Sequence, residues 1–165
     1  MTILSQRLSS SIFRPLLTWV AALVIGISLH AADEIKGSGW LEKHAEAIAA
    51  SKKSGLPMLV NFTGSDWCGW CVKLHKEVFA TKEFKEWAAT NVVLLELDFP
   101  NKKAQEAAIK AKNEELAKQY KVEGYPTILI LDGTGKKIGE LGYVAGGPTV
   151  WIAEFTKQYK AGGGK

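Results

Sequence analysis

Three short apolar runs, at residues 57–63, 92–98 and 127–131, constrain this chain more than any other feature. Each is dense in Val, Leu and Ile or Phe and bounded by turn residues, the pattern of a strand buried on both faces. The stretches between them repeat their apolar residues at helical spacing. Residues 40–54 place Trp40, Leu41, His44, Ala45, Ile48 and Ala49 at that spacing, and Ser54-Gly55 ends the helix. Residues 69–79 place Cys71, Leu74, His75 and Val78 on one side, and a second piece from 81 or 82 to 91 carries Phe84, Trp87 and Ala88. Residues 102–120 are good helix formers with an apolar side through Ala104, Ala108, Ala111 and Leu116. After the third run, Asp132-Gly133-Thr134-Gly135 is a turn that lets 137–143 pair back as a hairpin, and Gly146-Gly147-Pro148 opens a last helix. This alternation predicts an α/β fold of three layers, α/β/α, around a central mixed sheet of about four strands.

At 165 residues the chain suits one domain rather than two. Arg7 and Arg14, the apolar run 16–29 and the small pair Ala31-Ala32 make residues 1–32 a signal peptide for export, to be cleaved or retained as an anchor. The run is shorter than the ~20 residues that span a bilayer, which favours cleavage. Export places the protein in the periplasm, or outside the cell, if the source is bacterial. Residues 33–39 read as a flexible lead-in, 40–160 as the folded domain and 161–165 as a disordered tail. The 21 Lys and Arg, less Arg7 and Arg14, leave 19 basic against 17 acidic side chains in the mature part. So even a balance gives no footprint for nucleic acid.

Two cysteines in an exported chain would ordinarily make a structural staple. Cys68 and Cys71 are too close in sequence for that, because so small a loop removes little entropy from the unfolded chain. Redox chemistry explains them better. A strand ending before Cys68 and a helix starting near Gly69 put the Cys68 sulfur at a helix N-terminus, where free backbone N–H groups favour a thiolate. Cys71 lies one turn deeper, placed to attack a mixed disulfide on Cys68. A zinc site lacks its further ligands, since His44 and His75 are the only histidines nearby, and Val72 excludes haem attachment. No metal or organic cofactor is called for.

The segment Asp66-Trp67-Cys68-Gly69-Trp70-Cys71, preceded by Met58-Leu59-Val60-Asn61-Phe62 and followed by Gly124-Tyr125-Pro126-Thr127, resembles the thioredoxin superfamily. It is most similar to exported thioredoxin-like proteins of the disulfide-interchange and disulfide-isomerase group, over roughly residues 40–159. The resemblance implies a thioredoxin-like fold, an exposed nucleophile at Cys68, a resolving cysteine at Cys71 and a cis bond before Pro126. It also implies that Trp67, Gly69, Trp70, Tyr125 and Pro126 contact substrate, with the Tyr125 backbone pairing with an extended segment. Two departures stand out. Asn61 occupies the place of a buried aspartate and cannot take a proton as a carboxylate does, so deprotonation of Cys71 falls to water, Asp66 or Lys73, with Asn61 itself in a supporting place, or is simply slower. Trp70 replaces a proline between the cysteines.

The expected activity is thiol–disulfide exchange on protein disulfides, as a reductase or isomerase, by a monomer that serves disulfide-containing client proteins. A membrane redox partner would exchange electrons with it. The alternative is a binding module that uses the groove beside Pro126 to hold client chains, with incidental redox activity.

Overall fold

The computed structural model describes residues 39–164. The expected signal peptide and all but the last residue of the expected lead-in lie outside the described residues, as does Lys165.

Strand β2 (Met58–Thr63) is buried along its whole length because it stands at the middle of the sheet. It pairs in parallel with β3 (Val93–Asp98), Met58 opposite Val93 and Thr63 opposite Asp98. On its other side it runs antiparallel to β4 (Thr127–Leu131), which pairs antiparallel with β5 (Lys137–Leu141). A two-residue strand, β1 (Trp40–Leu41), completes the order β1-β3-β2-β4-β5.

The sheet therefore has five strands, not about four. The extra one comes from residues expected in the first helix. Trp40 and Leu41 pair with Leu94 and Leu95, and the Trp40 ring lies 5.2 Å from that of Phe79, so helix α1 (His44–Ser54) starts only after them. Two adjacent apolar residues fit the first turn of a helical repeat as well as a strand, which is why periodicity misplaced them.

Helix α1 and helix α4 (Ala107–Tyr120) cover one face, through Ala47 and Leu116 against Met58, Val60, Phe62, Leu95 and Leu129. The opposite face carries α2 (Gly69–Leu74), its π-helical continuation His75–Phe79, α3 (Lys82–Asn91) and α5 (Gly147–Ala161). There Leu74, Val78, Phe79, Phe84, Trp151 and Phe155 close over Leu59, Leu94, Ile128 and Ile130. Three layers result, as expected.

Helix α4 begins five residues later than its composition suggests; ahead of it, residues 101–103 bend and give their amides to Asp66. The tail is a cap through Gly164: the Gly163 N–H donates to Lys160 O and the Gly164 N–H to Tyr159 O, with Gly163 at φ 89°. That is the Schellman pattern, which needs the left-handed conformation glycine adopts without strain.

Candidate active site

Strand β2 ends at Thr63, and the chain turns through Gly64, Ser65 and Asp66 to reach Cys68, the N-cap of α2. Cys68 and Cys71 form a disulfide, with Cα atoms 5.2 Å apart. The Cys71 N–H donates to Cys68 Sγ at 3.1 Å, so a backbone dipole of the first helical turn is aimed at that sulfur. Cys68 is 6% exposed and Cys71 4%. The expected contrast between an exposed and a buried cysteine is thus small in the disulfide form, while the nearby Trp67 and Trp70 are 46% and 57% exposed.

The turn before Cys68 is fastened to the loop after β3. Asp98 accepts the Ser65 N–H at 2.8 Å and the Ser65 hydroxyl at 2.6 Å. The Trp67 indole N–H donates to Phe99 O at 2.7 Å. Asp66 accepts the amides of Asn101, Lys102 and Lys103, and the Asn101 amide in particular holds its carboxyl below the usual carboxylate range. The Asp66 carboxylate, a sequence candidate for supporting proton transfer, clamps residues 101–103.

Gly64 is required by this arrangement, since a Cβ there would lie 2.4 Å from the Trp67 ring. Gly64→Ala is expected to push the indole off Phe99 O and to cost about 1–3 kcal/mol, as overpacking does. A urea titration read through the near-ultraviolet signal of tryptophan checks this; an unchanged midpoint and spectrum would show that the ring does not depend on the missing Cβ.

Pro126 precedes β4, whose first residue, Thr127, pairs with Phe62, so it stands at the same end of the sheet as the cysteines. The Tyr125–Pro126 bond is cis, as the resemblance implies. Tyr125 and Trp67 meet edge to face at 5.7 Å, and Phe99 lies 5.1 Å from Tyr125. Trp70 is on the other side, 5.2 Å from Tyr143, and Lys73 Nζ sits over both rings at 5.1 and 5.0 Å. Tyr143 also donates its hydroxyl to Glu77 at 2.6 Å. Gly69 is exposed, with open space where a Cβ would stand. The structure thus brings Trp67 and Tyr125 together, holds Trp70 and Lys73 apart from them, and adds Phe99, Tyr143 and Glu77. The last three escaped sequence reading because nothing local marks contacts between residues so far apart, 32 for Trp67 and Phe99 and 66 for Glu77 and Tyr143.

Asn61 is buried on β2 opposite Glu96, and its Nδ2 donates to Glu96 Oε2 at 3.4 Å. Burial pushes the Glu96 carboxyl above its ordinary value, Asp98 adds to the rise, and the Asn61 amide opposes it.

A mixed sheet with a two-cysteine disulfide at its helix entrance and a cis-proline at the same end defines a thioredoxin-fold thiol–disulfide oxidoreductase. Residues 44–155 match the thioredoxin-like domain family, and the chain belongs to it. It is 37% identical over 119 residues to the disulfide bond reductase DsbH of Chlamydia pneumoniae, 72% of each chain. A solved structure of a DsbH oxidoreductase is 36% identical, covers 73% of this chain and 83% of its own, and superposes with a TM-score of 0.70. The thioredoxin-related protein DsbJ of Chlamydia pneumoniae is 29% identical over 128 residues, 74% of this chain and 37% of DsbJ.

Proposed function

We propose that this enzyme reduces protein disulfides outside the cytoplasm, with Cys68 attacking and Cys71 resolving. The observation that carries the assignment is the Cys68–Cys71 disulfide at the start of a helix whose backbone N–H is directed at Cys68 Sγ. A dipole so placed stabilises the thiolate that attacks. The direction is supported by the relative named as a reductase. The electrons reside on the two sulfurs, so the reaction itself calls for no cofactor. Trp67, Gly69, Trp70, Tyr125 and Pro126 would line the substrate's path, and an extended client segment would pair with the Tyr125 backbone. The signal-like residues 1–32 support export to a periplasm or the cell exterior. Electrons would then come from a membrane redox partner, since such compartments lack the cytosolic reducing pool.

The test of direction is the equilibrium potential of the Cys68–Cys71 couple in defined thiol–disulfide buffers. A value near roughly −270 mV is expected of a reductant; one near roughly −120 mV would make the protein an oxidant and overturn the proposed direction.

The exposure of Trp67, Trp70 and Val72 favours a second reading, in which this apolar rim holds client chains. A Cys68→Ser/Cys71→Ser double variant that keeps the full biological effect would establish the binding role over the enzymatic one.

A further inference from the structure

Resolution of a mixed disulfide needs the Cys71 thiol to lose its proton inside the protein. The nearby side chains that could receive it are mostly committed. Asp66 binds three amides, Asp98 binds Ser65, and Glu77 accepts the Tyr143 hydroxyl. Lys73 rests on the outer rings and His75 is exposed.

The fold points to a different group. Alternation along β2 puts Leu59, Asn61 and Thr63 on the face covered by α2, because Leu59 packs with Leu74 and Val78. Helix α2 follows β2 through a short turn and runs back over it. Cys71 and Leu74, three residues apart, share the buried side of that helix. Moving from Leu74 to Cys71 is about 4.5 Å along the helix, and from Leu59 to Asn61 about 6.6 Å along the strand in the same sense. Cys71 therefore lies toward Asn61. Asn61 is 4% exposed, and its Oδ1 is buried with no partner among the described residues, while its Nδ2 reaches Glu96. Glu96 in turn lines a cavity of about 340 Å³ at the sheet edge beyond β1, together with Glu42, Ser65, Asp98, Lys103 and Gln105. A buried polar oxygen without a partner is the usual seat of a bound water.

We propose that Glu96 receives the proton of Cys71, relayed by water held on Asn61 Oδ1, and so acts as a positioning residue of the second exchange step. This deepens, and rests on, the exchange reaction proposed above. The Cys71 thiol gives its proton to the Glu96 carboxylate. The Cys71 thiolate then attacks Cys68 Sγ, forming the Cys68–Cys71 bond and breaking the bond from Cys68 to the substrate sulfur. That sulfur leaves with the electron pair and is protonated by solvent, while Glu96 returns its proton through the cavity. The protein dithiol is oxidised by two electrons and the substrate disulfide is reduced by two. A carboxyl raised by burial suits the task, because it holds a proton nearer neutrality than an exposed glutamate does. The charges facing it are Asp98 from its own strand and Glu42 before α1, which raise it further, and Lys103 from the loop after β3, which lowers it.

The experiment uses the reduced protein, a disulfide-bonded test peptide and rapid mixing across a pH series, resolving mixed-disulfide formation from its breakdown. In Glu96→Gln, formation is expected to be unchanged and breakdown slowed roughly 100-fold, with the inflection in its pH profile lost. Glu96→Asp should recover part of the rate and restore an inflection, and Asn61→Leu, which leaves the carboxylate in place, should slow breakdown as Glu96→Gln does. A second measurement reports the carboxyl itself. With its folded value raised, the native state binds the proton more tightly than the unfolded chain, so its contribution is whole below the ordinary value of 4.5 and is lost as pH rises through the folded value. Glu96→Gln should flatten that loss. Breakdown that keeps its rate, or slows while keeping its inflection, overturns the role of Glu96. Absence of the first step in the unaltered protein would instead overturn the exchange reaction.

Discussion

Cys68→Ser is expected to abolish turnover of a protein disulfide, and Cys71→Ser to leave the first step intact while mixed disulfides accumulate. The two outcomes differ because the two sulfurs are placed differently. Cys68 caps the helix and receives the Cys71 N–H, so it is the sulfur whose thiolate the backbone stabilises; a serine hydroxyl there is no nucleophile at neutral pH. Cys71 sits one turn in, on the side of α2 that faces β2, and meets only a partner already bonded to Cys68. Without it the substrate stays attached until an external thiol releases it. The measurement is turnover of a disulfide-bonded peptide together with mass spectrometry of the trapped adduct. Loss of activity of more than about 10³-fold is expected for Cys68→Ser, in keeping with removal of a covalent nucleophile. Ordinary turnover by that variant would refute the assignment, and an adduct forming on Cys71 would reverse the roles.

How much of this was legible beforehand depends on whether a feature is local. The strands at 58–63, 93–98 and 127–131 followed from apolar runs read at 57–63, 92–98 and 127–131, the first two broken only by Asn61 and Glu96 before their polar ends, and β4 was bounded to the residue because Pro126 and Asp132 flank it. Strand β1 was not legible, since two residues carry no period and their partner, β3, lies more than fifty residues away. The start of α4 escaped for a related reason. Its composition favours helix from residue 102, yet residues 101–103 bend around the carboxylate of Asp66, an acceptor thirty-five residues away that local propensity does not report. At the site, the cysteines and Pro126 could be placed because the motif fixes them. Glu96 could not: sequence proximity nominates Asp66, and only the strand register shows that Glu96 lies beside Asn61. Register is a tertiary fact, and no spacing in the chain announces it.

The same distinction explains why a residue far from the cysteines should have the largest effect on stability. Trp151 is fully buried on α5, with ring centroids 5.3 Å from Phe79, 5.9 Å from Phe84 and 5.8 Å from Phe155. Phe79 ends the helical stretch that starts at the redox pair, so Trp151 is the floor on which that stretch rests. Its indole N–H donates to Gly142 O at 3.1 Å, next to the Tyr143 that holds Trp70 and Lys73. Trp151→Ala is expected to cost about 3–5 kcal/mol through the lost burial and the cavity left behind. That is a large part of the 5–15 kcal/mol that holds a domain together. Trp151→Phe keeps most of the ring but strands the Gly142 carbonyl, for about 1–3 kcal/mol. Urea unfolding of both variants separates the two contributions, and the midpoint should fall further for alanine while the slope stays constant. Near-equal midpoints for the two would assign the effect to the hydrogen bond rather than to packing. The coupling to the site is checked by the fluorescence of Trp70, which should respond in Trp151→Phe only if Gly142 and Tyr143 move together; a silent Trp70 signal in that variant would uncouple the floor from the rim.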